Sequence, residues 1–410
     1  LTWKKNEKIA TDGTILPGVW VLLTNNSNCH MDISLFHSFS DFVYKNCIAI
    51  LINKESRRFL PEYCKNAFLI DDYNWTGALE KLREISKVNK IISAFAFREN
   101  SFDKVNEISE LFSLNAAFAR SLINKAMIYE TLLTPRNFEF YTFTNINMAV
   151  EHAVLYATNK NKPFIIKPSN YSDSACILRV DPGSDFKFIH NEFHKSIKSA
   201  SNFGYLSPVN LIVMEYIGDE KSPQEYCVDG FIFDSKVTCI AQEKIGTKSY
   251  HPFFDTKIIS PPKSLTAHEL ISTAKSDIEK LNLDNTCFHF EYRTENGNLI
   301  PIDCAARPGG GFIPHVFSQH FGVDLRVIHA LLSLKIDPTP YTNSVENLHT
   351  IMESISGDFT NERKLLIQKL RFTNRLFGCF IIKTSSEIKV DRSFTDQANI
   401  GMAYFGEPCS

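Results

Sequence analysis

The chain has 410 residues, 44% of them apolar and 22% charged, which is more than one domain of about 100–200 residues and unlike the apolar-poor, highly charged signature of disorder. With 44 Lys and Arg against 46 Asp and Glu the formal charge is -2, so there is no basic surplus for a phosphate backbone and nucleic acid is not an expected partner. Ten cysteines lie scattered without CxxC pairs or zinc spacing, no apolar run reaches the about 18 residues that span a bilayer, and Leu1 to Lys5 lack a secretory layout. The expected setting is therefore a reducing cytoplasm, without a disulfide framework or a membrane.

From Gly18 to about Ser113 short apolar runs (Val19 to Leu23, Cys47 to Ile52, Ala67 to Ile70, Ile91 to Phe97) alternate with helical patterns at Trp75 to Ser86 and Phe102 to Phe112. That alternation predicts a small parallel sheet with covering helices. The first strand runs into Thr24-Asn25-Asn26-Ser27-Asn28, which lacks the GxGxxG turn of a dinucleotide site.

A helix around Ala116 to Leu132, ended by Pro135, leads into a β-rich stretch: Pro163 to Pro168, Asn210 to Tyr216, Glu225 to Phe233, Lys236 to Glu243, Cys287 to Arg293 and Leu299 to Ala305. Residues from about 115 to 335 read as a two-lobed α+β core. Pro338-Thr339-Pro340 marks a boundary before a last small domain.

The segment from Cys287 to Ala305 reads as two strands joined by a turn at Asn296-Gly297. Period two puts His289, Glu291 and Arg293 on one face, and Phe288, Phe290 and Tyr292 on the other. A strict two-residue turn would place Asp303 opposite Phe290 and send the two acids to opposite faces. For Glu291 and Asp303 to converge, the hairpin needs an odd-length loop or a bulge. Converged, they suit Mg2+, a hard cation that takes one or two carboxylates, waters and substrate phosphates; otherwise they form a solvated face with a surface ion pair to Arg293. Arg307-Pro-Gly-Gly-Gly311 follows, a planar cation beside backbone that other groups can approach closely.

In this order, Asn124-Lys125, Ile165 to Pro168, Val213 to Ile217, Glu225 to Gly230, His289-Phe-Glu291 and Ile302 to Arg307 resemble the motifs of the ATP-grasp superfamily, specifically its carboxylate-amine ligases that join amino acids. The resemblance covers about residues 18 to 335. It implies an α/β and α+β chain with a Rossmann-like pre-ATP-grasp domain at 1–114, an ATP-grasp core at 115–335 whose lid lobe spans about 135–215, and a small C-terminal domain at 336–410.

By the same resemblance Lys125 and Lys167 hold ATP phosphates, Glu215 and the backbone of Tyr216 and Ile217 line the adenine pocket, and Glu225 accepts from the ribose hydroxyls. Glu291 and Asp303 are the Mg2+ ligands, and Arg307 stabilises the acyl phosphate and the tetrahedral intermediate after it. The implied cofactors are ATP and Mg2+. The implied partners are small carboxylates and amines, amino acids foremost, with a homodimer allowed.

The chain departs from the family pattern in three places. The phosphate-covering loop Ser169 to Cys176 contains no glycine and relies on Ser172, Ser174 and Ala175; the second metal glutamate is Asp303; and the usual asparagine is Ala305. The loop and Ala305 departures keep one rival in view, an ATP-binding protein without catalysis; a second rival is an enzyme with another acceptor such as bicarbonate.

Overall fold

The computed structural model describes residues 18–23, 47–52, 68–70, 74–97, 99–114, 125–136, 138–171, 176–202, 208, 210–218, 224–246, 255–310, 313–343, 349–356, 376–381 and 399–407. Chain packing divides it into two units, Leu1–Ala117 with Arg326–Asn343, and Phe118–Leu325 with Ser344–Ser410.

In the first unit β1 (Gly18–Leu23), β2 (Cys47–Ile52), β3 (Phe68–Ile70) and β4 (Ile91–Ala96) form a parallel sheet in the order β3-β2-β1-β4. The helix α1 (Trp75–Ser86) is capped by the Asn74 side chain and buries Ala78, Leu79, Leu82 and Ile85 at helical spacing. Next, α2 (Phe102–Phe112) buries Phe102, Val105 and Ile108 and stops at Ser113, whose φ of 54° ends it in the left-handed region. The apolar runs and helices fall where the sequence pattern puts them. The Thr24 to Asn28 segment lies outside the described residues.

Among the described residues the second unit holds two sheets. Its first helix, α3 (Lys125–Leu132), covers the last part of the predicted 116–132 helix; the rest of that prediction lies outside the described residues. It is followed by β5 (Phe140–Phe143), α4 (Ile146–Lys160), β6 (Phe164–Pro168), β7 (Leu178–Val180), α5 (Phe186–Asn202) and β8 (Leu211–Glu215). These strands form an antiparallel sheet in the order β5-β8-β6-β7. Against it α4 presents Ala149, Val150, Ala153 and Ala157, small residues that let the helix sit close, and Phe164 and Phe193 fill the space between. Burying each of those rings contributes about 1.5–3 kcal/mol.

The larger sheet is built from β9 (Glu225–Phe233), β10 (Lys236–Gly246), β11 (Asp255–Ser260), β12 (Thr286–Glu295) and β13 (Asn298–Ala305), with α6 (Ala267–Lys280) inserted before β12. A Thr266 cap that both accepts from the Glu269 amide and donates to its carboxylate starts α6. After α7 (Ile313–Phe321) the chain forms α8 (Leu325–Ser333), which falls in the first unit from Arg326 on, and then β14 (His349–Ser356), β15 (Leu376–Ile381) and β16 (Asn399–Glu407) continue the larger sheet, in the order β13-β12-β9-β10-β11-β14-β16-β15. Among the described residues no helix is long and apolar enough to cross a membrane.

Candidate active site

The hairpin keeps its two-residue turn: Glu295 pairs with Asn298, and the ladder runs regularly to Tyr292 opposite Pro301. There the register slips by one, and Glu291 faces Asp303. The extra residue is Ile302, a bulge of the kind the sequence required if the acids were to meet. Its carbonyl accepts from the Tyr129 hydroxyl at 2.5 Å and from Lys167 Nζ at 2.8 Å.

Cross-strand pairing then composes one polar sheet face in rows. Lys244, Glu225 and Arg293 form the first; Gln242, Cys227, Glu291 and Asp303 the second; Ile240, Asp229, His289 and Ala305 the third. The opposite face carries Tyr226, Val228, Phe288, Phe290, Tyr292 and Cys304, all buried. Alternation along the strands thus separates core from chemistry.

The polar face borders a pocket with about 660 Å³ of empty volume, part of it open to solvent, whose other wall is the smaller sheet. Lys125, Lys167, Glu291 and Asp303 line it, as do Glu215, Tyr216, Ile217 and Glu225. The structure therefore gathers eight of the predicted positions around one cavity. Arg307 is not among its lining residues; it is buried and donates to the Pro308 carbonyl at 2.8 Å. Ser174 lies outside the described residues, with the rest of 172–175.

Every predicted acid has a cation beside it. Lys125 Nζ bridges both Asp303 oxygens at 2.8 and 2.9 Å. Lys244 bonds Glu291 at 2.6 Å and Glu225 at 3.0 Å, and Arg293 Nε bonds the other Glu225 oxygen at 2.9 Å. Arg293 is thus buried on Glu225, which replaces the surface ion pair considered from sequence. The Glu215 carboxylate is held by Lys160 at 3.3 Å and by Lys162 at 2.9 Å, and Lys162 also reaches Glu295 at 2.7 Å. Both the Arg179 and Arg293 guanidiniums lie over the Tyr216 ring, at 4.6 and 5.0 Å.

Titration follows from these neighbours. Burial opposes ionisation of Glu291, yet Lys244 and His289 hold its pKa well below the usual carboxylate range. Asp303 is likewise lowered against burial by Lys125 and then Lys167. Burial disfavours a charged His289, but Asp229 and Glu291, each on one ring nitrogen, push it up to about 10. Lys167 goes the other way: burial brings it down to about 8, despite Asp303.

Two ionised carboxylates facing one another at a pocket wall fit a hard divalent cation. Among the described residues no group of three or more His, Cys, Asp or Glu converges as a cage. Mg2+ is commonly bound through one or two carboxylates and completed by waters and substrate phosphates.

Sequence reasoning missed Lys244, Asp229 and Tyr129. It ended the strand from Lys236 at Glu243, whereas β10 runs to Gly246 and turns Lys244 onto the polar face. A period-two reading carried one residue further along β10 would have found it.

Residues 160–315 match the family model of the ATP-grasp domain. The chain carries an ATP-grasp domain. The match spans α4's end to the start of α7, and so takes in the pocket and the acidic hairpin. Searched by structure, the chain is similar to an L-amino acid ligase from Bacillus licheniformis, at 14% identity and a TM-score of 0.69, covering 96% of this chain and 94% of that one. It is also similar to an N5-carboxyaminoimidazole synthase from Aspergillus clavatus, solved with ADP and 5-aminoimidazole ribonucleotide (12% identity, TM-score 0.65, 96% and 95% coverage). A third likeness is the biotin carboxylase domain of a Hydrogenobacter thermophilus 2-oxoglutarate carboxylase, solved with MgADP and bicarbonate (14%, TM-score 0.62, 95% and 86%). At these identities the likeness is one of fold. No curated protein gives a significant sequence match.

Proposed function

We propose that this ATP-grasp protein is an ATP-dependent ligase that joins a carboxylate to an amine, with amino acids as the substrate class. The observation that carries the reading is the Ile302 bulge, which sets Glu291 opposite Asp303 on a wall shared with Lys125 and Lys167.

ATP lies in the pocket with its base against Glu215, Tyr216 and Ile217, its ribose at Glu225 and its phosphates between Lys125 and Lys167. Because the Glu215 carboxylate is committed to Lys160 and Lys162, the base is read by main-chain groups. Glu291 and Asp303 would hold Mg2+, which would supply positive charge to the phosphate oxygens. A substrate carboxylate oxygen attacks the γ-phosphorus, the bond to the bridging oxygen breaks, and ADP leaves. The amine nitrogen then adds to the carbonyl carbon of the acyl phosphate; the tetrahedral intermediate expels phosphate and the nitrogen loses its proton. Arg307 offers a preorganised cation to the oxygens that gain charge in these steps.

The setting we assign is a reducing cytoplasm, in keeping with the free thiols of Cys176, Cys227, Cys239, Cys287 and Cys304. The deciding experiment screens pairs of amino acids and small carboxylates for ATP-dependent phosphate release, with mass spectrometry of the products. A product whose mass is the sum of the two substrates less water establishes the ligase. Nucleotide binding with no turnover on any pair would mark a protein without catalysis, and bicarbonate-dependent release would mark a different acceptor.

A further inference from the structure

One arrangement on the polar face has no part in the roles assigned above. Asp229 is fully buried on β9, and its Oδ1 lies 2.8 Å from His289 Nδ1. The other ring nitrogen, Nε2, lies 3.0 Å from Glu291 Oε1. Lys244 donates to that same Oε1 at 2.6 Å. Both donors therefore grip one oxygen of Glu291, and neither takes Oε2.

The buried carboxylate is seated tightly. A Cβ on Gly309 would come within 2.3 Å of Asp229 Oδ1, so the glycine-rich turn after Arg307 packs its backbone directly on this group. Asp229 Oδ2 has no hydrogen-bond partner among the described residues. A carboxylate taken fully out of water is costly, and here its one bond is to the His289 ring.

We infer that Asp229 and His289 are positioning residues that fix the rotamer of Glu291, clamping Oε1 so that Oε2 is presented to the divalent cation. This rests on the proposed function, since it presumes that Glu291 is a cation ligand. The physical reason is general: a ligand held by outer partners loses less freedom on binding the ion and meets it in one orientation. Because each ring nitrogen faces a carboxylate oxygen, which can only accept, the ring donates from both sides, Nδ1–H to Asp229 and Nε2–H to Glu291. Lys244 alone is a weaker clamp, being shared with Glu225.

The test uses the full chain with Mn2+ as probe, its binding followed by electron paramagnetic resonance in the presence of ADP. Asp229→Asn and His289→Leu are each expected to weaken Mn2+ binding about 10- to 100-fold, with metal-free ADP affinity close to that of the parent protein; His289→Leu, which leaves the buried Asp229 carboxylate unpaired, also lowers Tm. His289→Gln, which keeps an N–H toward Glu291, is expected to recover part of the loss. In turnover, the Mg2+ concentration for half-activity rises while KM for the carboxylate stays put. Unchanged Mn2+ affinity in both variants overturns the inference, as does a parallel fall of Mn2+ affinity, ADP affinity and Tm, which assigns a purely structural role. Should Asp229→Asn fail to fold, His289→Gln set against His289→Leu decides alone: equal Mn2+ affinity in the two defeats the clamp. If the parent protein binds no Mn2+ with ADP, it is the proposed function that fails; parent binding with unaltered variants defeats only the positioning role.

Discussion

Glu291 and Asp303 face each other across two strands because Ile302 is one residue too many for the ladder. The acids and their supporting lysines form one cluster, so neutral isosteres test it with little change of shape. Glu291→Gln and Asp303→Asn should each lower turnover by at least about 10²-fold, the scale of losing a preorganised charge. Circular dichroism and a melting curve should show the fold retained, since Glu225 still pairs with Lys244 and Asp229 with His289. Near-parental turnover in either variant removes that residue from the cation site.

Lys167 carries a pH signature. Its pKa is about 8 against the ordinary 10.5, burial being the main cause. Nucleotide phosphates favour the charged amine, so binding ATP takes up a proton above pH 8, and affinity should fall as pH rises through that value. Titration calorimetry from pH 7 to 9.5 in buffers of different ionisation enthalpy measures both effects. Lys167→Ala should bind ATP more weakly and with a flatter profile; unchanged affinity would take Lys167 out of the site. For folding the sign is opposite. Between about 8 and 10.5 the unfolded chain holds the extra proton, so this group's contribution to stability rises with pH.

Arg307 should separate chemistry from binding. It is buried outside the lining of the nucleotide pocket, so Arg307→Lys is expected to lower kcat about 10²- to 10³-fold with ATP affinity nearly kept, because lysine keeps charge but not the planar fork. Saturation kinetics with direct nucleotide titration checks this. Lost ATP binding with kcat preserved would move Arg307 into the nucleotide site.

A stability prediction falls on Arg136 and Asp277. The Asp277 carboxylate is fully buried, bonded by Arg136 at 2.7 Å, with Lys280 and the Tyr292 hydroxyl each at 3.3 Å. Arg136→Met strands much of that charge, and chemical denaturation should show a loss toward the lower end of about 3–5 kcal/mol, because Lys280 remains. Adding Asp277→Leu should restore a large part; if the double variant is less stable than the single, the pair is not the source.

The sequence was most legible where a pattern is local. Trp75–Ser86, Phe102–Phe112 and Glu225–Phe233 have in the structure the bounds read from periodicity and turn residues. The acids of the hairpin could be named, and parity alone told that a bulge or odd loop had to intervene. Parity could not say which: that choice depends on Tyr129 and Lys167, distant in sequence, which take the Ile302 carbonyl out of the ladder. The role of Asp229 stayed hidden for the same reason, since its partner His289 comes from cross-strand register, whereas Lys244 lies one residue past the strand read from sequence.

The bulge also bears on how the protein meets its own copies. Among the described strands β13 is an edge of the larger sheet, and an open edge is a template on which another chain can add a strand. Here Pro301 has no N–H to offer, and the next carbonyl, that of Ile302, is already bonded within the molecule. With one carbonyl already bonded and one N–H missing along this strand, the irregularity that aims the acids also makes β13 a poorer seed for aggregation.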